Sequence, residues 1–523
     1  MTLSDTKIPR DVLLEKAKLW NLSIESFEFA RRLDEEDPLS RFRQMFSFPR
    51  KIDLPDYKTM KKSDILAKLF NLHNFLQLGD KSRIVHEDEL CIYLCGQSLG
   101  LKPKSADKYV ERVLKNWGEL GVCAHFSGYL PAALCDLHVK APMAKLVGAK
   151  ASEVAVMNGL SVNLHILMSS FYKPTPQRHK IIIEEHAFSS DMFAVKSQIV
   201  SHGYSPETSL VVLKLRPNEH TFREEDVLDV IAKEGDKVAL ILLFGVQYYS
   251  GQYMNIAKLT DASHKKGIIV GLDCAHVIGN VPLRLNEWNV DFAVWCTYKY
   301  LNSGPGCLGG AFVHEKFTEK GGNSQMPMLK AWWGNDDKTK FLLKEDFEAA
   351  EGTDMFRMSN PPPLLVATLK ASLDIFSQTS VEELQGKQFL LTGYLEYLLK
   401  QKFLQQPFGS KFHLLNKINK EIFKIITPSD PKQRGAQLSL MFNFSLIDVQ
   451  EQLQKRGVVC DIRVPNVMRV SPVPMYNSFQ DVWNFVNILA TVIQEIDEKC
   501  DNILSEQITE MNGIHSESDS LNK

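Results

Sequence analysis

The sequence predicts an α/β protein: a large domain on a mostly parallel seven-stranded sheet, joined to a smaller α+β domain. Three observations carry that reading. Between about residues 150 and 315, short apolar runs alternate with helix-length amphipathic stretches, the pattern of a parallel sheet covered by helices. Several runs, such as Val238 to Phe244, are apolar throughout, as strands buried on both faces are. After the turn Asn360-Pro361-Pro362-Pro363 the alternation stops, and helices with isolated strands follow.

Taken in order, residues 1–60 form a helical arm, with Leu13, Leu14, Ala17 and Leu19 at helical spacing over 10–48 and an acidic turn from Leu33 to Pro38. Residues 61–355 form the large domain, its first part available to pack against the smaller one. The strand candidates are Glu153 to Met157, Lys180 to Glu184, Ser209 to Lys214, Lys237 to Phe244, Gly267 to Asp273, Asp291 to Tyr298 and Cys307 to His314. Residues 356–500 form the smaller domain, with strands expected over Ala436 to Asn443 and Val458 to Asp461. The segment 501–523 is polar, rich in Ser, Asn and Glu, and reads as a disordered tail. No internal repeat stands out.

Composition narrows the classes of function. A chain of 523 residues with 44% hydrophobic and 24% charged residues reads as an ordinary folded protein. Sixty-one basic against sixty-three acidic residues leave no excess to neutralise a phosphate backbone or an anionic membrane, so neither partner is expected. The nine scattered cysteines, most with apolar neighbours, read as reduced thiols in the cytosol. Cys91 and Cys95 are the one close pair, and no second pair or histidine cluster accompanies them, so no metal site is expected. The first twenty residues lack a basic and then apolar leader, and no later stretch reaches membrane-spanning length without charges, which points to the cytoplasm.

Chemistry enters at the strand ends, where ligands bind in open α/β sheets. Asp273 closes the run Gly267 to Asp273, and Lys299 follows the next run by way of Thr297-Tyr298. A lysine that forms an imine and a carboxylate that keeps a pyridine nitrogen protonated are the two groups a pyridoxal enzyme needs. Asp273 also reads as a helix N-cap, and Lys299 as a solvated strand-end lysine. The glycines 304, 306, 309 and 310 favour a tight active-site turn after the lysine.

Longer motifs carry a family resemblance. The run Met157-Asn158-Gly159-Leu160-Ser161-Val162-Asn163-Leu164-His165, the segment Phe171-Tyr172-Lys173-Pro174-Thr175-Pro176 and the turn Ala187-Phe188-Ser189-Ser190-Asp191 resemble those of kynureninases. So do Asp273-Cys274-Ala275-His276, Trp295-Cys296-Thr297-Tyr298-Lys299-Tyr300-Leu301-Asn302, Ser359-Asn360-Pro361-Pro362, Lys455 to Asp461 and Arg469 to Phe479. The match runs in order from about residue 30 to about 497, the arm segment Leu33 to Arg43 included.

The resemblance implies a fold-type-I, pyridoxal-phosphate-dependent transferase-like fold and a homodimer with shared active sites. It implies hydrolysis of the Cβ–Cγ bond of L-kynurenine or 3-hydroxy-L-kynurenine to L-alanine and an anthranilate, in tryptophan catabolism and NAD biosynthesis. It makes Lys299 the Schiff-base lysine, pairs Asp273 with the ring nitrogen with Asp191 nearby, stacks Phe188 on the ring and sets His276 beside it. Leu160, Ser161, Ser189, Ser190, Phe244 and Tyr298 fall in the cofactor pocket, with Trp332 and Asn360 reaching it across the dimer interface. Arg469 clamps the substrate carboxylate, a role its planar fork suits, and Ser98, His125 and Asn360 lie on the substrate side.

Read alone, several of these residues are plainer: Phe188 as core packing, His125 as a structural histidine, Ser98 as part of a turn. Tyr298 has the best independent case, since a phenol beside the lysine both bonds phosphate and relays a proton. The chain also departs from the usual pattern. Phe244 stands where a serine is usual, which removes a phosphate contact; Gln97 replaces asparagine, Ser161 threonine and Gln247 histidine, and 126–132 lack the expected basic and tryptophan residues. Two other readings follow: a fold-type-I aminotransferase or lyase with shifted substrate, and a weakly catalytic paralogue that serves as a binding protein.

Overall fold

The computed structural model describes residues 7–55, 88–318, 326–404, 421–444, 446–463 and 465–498. The expected tail 501–523 and the start of the large domain, 61–87, lie outside the described residues.

Seven strands form within one or two residues of the expected runs: β1 Val154–Met157, β2 Lys180–Glu184, β3 Leu210–Leu213, β4 Val238–Phe244, β5 Ile269–Asp273, β6 Phe292–Cys296 and β7 Gly309–Val313. They make one sheet in the order β1-β7-β6-β5-β4-β2-β3. β7 runs antiparallel to both its neighbours, β1 and β6, and the other pairings are parallel. Six strands therefore end on the same edge. β6 at Asp291 to Tyr298 comes out shorter than expected, because the chain leaves the ladder at Thr297 to start the turn that carries Lys299.

Alternate residues of these strands feed two apolar layers. Ile182, Ile241, Leu243 and Trp295 pack on one face, and Ile181, Ile183, Leu240, Leu242 and Phe292 on the other. This two-sided burial is why the runs read as uniformly apolar. Gly310 of β7 sits against the fully buried indole of Trp295, where any Cβ would collide with the ring.

A third apolar cluster joins the arm to the C-terminal part. The arm is two helices, α1 Pro9–Trp20 and α2 Phe27–Glu35, separated by Asn21 in the left-handed region (φ 52°) and by the cap Ser26, whose hydroxyl accepts from Phe29 N at 3.2 Å. α1 lies on the long helix Val381–Leu399 at Gly393, a position where a side chain would strike the ring of Pro9. The arm is also tied by ion pairs: Lys387 reaches Asp37 at 2.7 Å with both side chains buried, and Arg43 reaches Asp481 at 2.5 Å.

A four-stranded antiparallel sheet completes this part: β8 Phe423–Ile425, β9 Leu438–Phe442, β10 Asp461–Arg463 and β11 Val467–Val470, in the order β8-β9-β11-β10. The expected strand Val458 to Asp461 divides. Val458–Val459 pairs in parallel with Ile92–Tyr93, and the chain then changes partner so that Asp461 enters the small sheet opposite Arg469. Among the described residues no helix is long and apolar enough to cross a membrane.

Candidate active site

At the edge where the parallel strands end, a cavity of about 100 Å³ opens. The register decides who meets there. Phe244 at the end of β4 lies opposite Asp273 at the end of β5, and Asp273 opposite Val294 of β6, two residues before Cys296 and five before Lys299. The segment after β2 brings Phe188, Ser190 and Asp191, and the segment after β1 brings Leu160 and Ser161. Asn158, Gly159 and the turn at Asn302 (φ 55°) shape the loops around it.

Lys299 is the one lysine lining the cavity among the described residues, and its Nζ lies 3.0 Å from His276 Nε2. Burial holds the His276 imidazole well below the usual histidine range, and the positive charge of Lys299 adds to the effect. A neutral ring whose Nε2 accepts from the lysine carries its proton on Nδ1, and that buried nitrogen has no partner among the described residues.

Below it, three carboxyls line the same space: Glu184, Asp191 and Asp273. Asp273 is fixed by accepting from Ala275 N at 2.7 Å. Burial drives Asp191 well above the usual carboxyl range, and the adjacent Asp273 carboxyl pushes it further. One of its buried oxygens, Oδ1, is unpartnered.

Two helix N-termini face the other end. The helices Leu160–Phe171 and Ser189–Ser201 start at Gly159 and Phe188, neither of which caps by a side chain, so their first N–H groups are left for an anion. Ser161 and Ser190, one from each helix, bond each other through their hydroxyls at 2.6 Å. Phe188 is 45% exposed, standing edge-on to Tyr248 at 5.3 Å between ring centroids instead of filling the core. The Tyr298 phenol is raised by burial and so stays protonated.

Pyridoxal phosphate fits these groups. An unpartnered buried carboxyl oxygen suits a ring nitrogen, two open helix N-termini with paired serines suit a phosphate, and a lysine lines the same cavity.

The structure sorts the residues singled out above. Leu160, Ser161, Phe188, Ser190, Asp191, Phe244, Asp273, His276, Tyr298 and Lys299 line the cavity. Ser189 opens its helix but does not line it. Arg469 stands behind the wall: it is fully buried, gives Nε to Asp461 at 2.6 Å and Nη1 to the carbonyl of Tyr248, a lining residue, at 2.8 Å. Ser98 is half-buried in the turn next to it, where Gln97 Nε2 donates to the Arg469 carbonyl at 3.3 Å.

Trp332, Asn360 and His125 do not line this cavity and are exposed. His125 and Trp332 nonetheless share a face. His125 leads to Phe126 at 6.3 Å, Phe126 to Phe341 at 5.2 Å and Phe341 to Trp332 at 5.7 Å, an aromatic chain on the surface.

The departures acquire local reasons. Phe244 is buried against Phe222 at 5.6 Å and offers the cavity no donor. Gln247 accepts from Tyr249 N and Ser250 N at 2.6 and 2.9 Å, forming the turn that presents Tyr248. Ala275 and Cys296, carried by the quoted motifs without a role, also line the cavity, as do Glu184, Val246 and Tyr248, which lie outside those motifs. Glu184 carried a signal: like Asp273, it ends an apolar strand.

Comparison with known proteins agrees with this geometry. Residues 137–422 match the family model "Aminotransferase class-V" and residues 400–489 match "Kynureninase C-terminal domain". Mouse kynureninase is 44% identical over 94% of this chain and 99% of its own length, and the human enzyme 42% over 95% and 100%. Kynureninase of Nematostella vectensis is 43% identical over 93% and 98%. Among solved structures, the cystine C-S lyase C-DES superposes with a TM-score of 0.61 at 16% identity, over 76% of this chain and 97% of its own. A cysteine desulfurase from Thermococcus onnurineus gives 0.59 at 16% over 77% and 95%, likenesses that establish the fold. Identity of 42–44% along nearly the whole chain, on a class-V fold whose strand ends gather a lysine and paired carboxyls, places this chain in the kynureninase family.

Proposed function

We propose that this chain, with pyridoxal phosphate, hydrolyses the Cβ–Cγ bond of L-kynurenine or 3-hydroxy-L-kynurenine, releasing L-alanine and anthranilate or 3-hydroxyanthranilate. The observation that carries it is the pairing of Lys299 with neutral His276 above the Asp191–Asp273 carboxyls, in a chain so similar to kynureninases throughout. Bound pyridoxal phosphate supplies an electron sink for the pairs released at the amino-acid carbons.

The chain's own residues do the rest. Lys299 Nζ takes the proton from Cα and returns one to the alanyl fragment, and the His276 contact at 3.0 Å fixes where that nitrogen points. Tyr298, kept protonated by burial, lines the cavity beside Lys299 and would hold its one proton for the acyl carbonyl that water attacks. Asp273 and Asp191 would hold the ring-nitrogen end, the two helix N-termini with Ser161 and Ser190 would hold the phosphate end, and Phe188 would cover a ring face. Arg469 takes the substrate carboxylate. Its planar guanidinium is held in place behind the cavity wall by two bonds to Asp461 and one to the carbonyl of Tyr248, a lining residue.

We infer a homodimer, in which the exposed aromatic chain from His125 to Trp332 and the exposed Asn360 complete the neighbouring subunit's cavity; apolar surface of that kind marks an interface. A reducing, cytoplasmic setting belongs to the same reading: the eight described cysteines are unbridged and only Cys123 is exposed.

The test is the visible absorbance of the purified protein with pyridoxal phosphate, before and after L-kynurenine or its 3-hydroxy analogue, together with anthranilate fluorescence. A cofactor band and stoichiometric alanine and anthranilate support the reading. A band that is lost on adding the amino acid, is restored by a keto acid and yields no anthranilate would assign an aminotransferase instead.

A further inference from the structure

The cavity holds a carboxyl that this reading does not use. Glu184 closes β2 at 6% exposure and faces the same space as Asp191 and Asp273. The next residue, Glu185, turns away to Lys214 at 2.8 Å, whereas Glu184 makes no ion pair among the described residues. Among the described residues that line the cavity, three carboxyls stand with one ammonium, that of Lys299, which already faces His276. A buried carboxylate with no cation of its own is costly, and a neutral acid in that place is not.

We propose that Glu184 stands in the cofactor cavity as a neutral carboxylic acid, leaving the Asp191–Asp273 pair as the acidic group presented to the ring nitrogen. The inference rests on the cavity being the cofactor site. The groups around Glu184 are consistent with it. Asp191 faces it from the helix Ser189–Ser201, Asp273 and His276 from the end of β5, and Cys296, Tyr298 and Lys299 from β6 and its turn. Burial pushes the Cys296 thiol and Tyr298 phenol up and the His276 imidazole down, so none of these three adds charge at neutral pH. Burial, with Asp273 adding to it, pushes Glu184 itself up to about 8.

The sign of the pH effect follows. A carboxyl raised by folding holds its proton more tightly folded than unfolded, so the stability that goes with protonation is fully present below the ordinary glutamate range and is lost as pH rises through about 8. Glu184→Gln mimics the neutral acid and abolishes that loss.

Three measurements on the full-length protein decide it. At pH 7, Glu184→Gln should bind pyridoxal phosphate within about threefold of wild type by absorbance titration; a tenfold or greater loss means an anion was needed and overturns the proposal. In thermal unfolding of the cofactor-stripped protein, Glu184→Gln should match wild type at pH 5 and exceed it at pH 9; parallel curves overturn it. Infrared difference spectra of the holoenzyme at pH 7 should show a protonated carboxyl band that Glu184→Gln lacks. Glu184→Met, uncharged and of similar volume, repeats the comparison if the glutamine variant does not fold, and failure of both to fold overturns the proposal, since a neutral acid tolerates a neutral isostere. If wild type itself takes up no pyridoxal phosphate, it is the cofactor reading that fails, whatever Glu184 does.

Discussion

Replacing Arg469 by Gln should damage both stability and substrate binding, and the structure separates the two. The guanidinium is fully buried and pairs across β10 and β11 with Asp461, its direct ladder partner. Truncating one member of a buried pair costs about 3–5 kcal/mol, because the other is left charged and unpaired. Here the loss is smaller, on the order of 2–3 kcal/mol, since the Asp461 side chain is 19% exposed and keeps Arg463 at 3.1 Å. The double variant Asp461→Asn/Arg469→Gln removes the orphaned charge and should recover most of that stability. Substrate binding should not recover: loss of a desolvated, charge-assisted pair with the substrate carboxylate is worth about 2–5 kcal/mol, or about thirtyfold to several-thousandfold in kcat/KM. Urea unfolding of the stripped protein and steady-state kinetics of the loaded enzyme read the two effects separately. If the double variant regains kcat/KM along with stability, Arg469 serves the fold alone and the carboxylate clamp lies elsewhere.

Three further outcomes are expected. Lys299→Ala should abolish turnover and the covalent cofactor band, and borohydride reduction of wild type should label the peptide containing Lys299, the one lysine among the described residues that lines the cavity; a label elsewhere refutes the assignment. Phe341→Lys, placed in the middle of the exposed aromatic chain, should weaken self-association in sedimentation and lower activity in parallel; full activity in a monomer contradicts the shared-site reading. Phe244→Ser should cost about 3–5 kcal/mol of stability through lost packing on Phe222, while the new hydroxyl at the cavity wall slows loss of cofactor on dialysis. Faster cofactor loss would show that the phenyl ring, and not a hydroxyl, is what the cavity needs there.

Much of the site was legible in the residue order because of how parallel sheets are buried. When a strand is apolar on both faces, the polar residue that ends it stands out, and so Asp273 and Lys299 declare themselves as strand-end groups. Glu184 ends β2 in the same way, yet Glu185 follows it, and two consecutive acids read as an ordinary solvated turn. Only the fold shows that one turns out to Lys214 and the other into the cavity. The division of 458–461 between two sheets was likewise hidden, because a run of short apolar residues does not say which partner each will find.

What the sequence determined by itself was the set of elements and their chemistry: seven apolar runs, their polar ends and the motifs between them, all local patterns of period and residue type. Tertiary structure decided the neighbours. The reversed β7 between β1 and β6, the register that sets Phe244 against Asp273, the pairing that ties Arg469 to Asp461, and the outward placing of His125 and Trp332 all depend on contacts between segments remote in the chain. Such contacts are fixed by how whole apolar faces and backbone ladders close on one another, a collective choice that no local stretch of sequence carries.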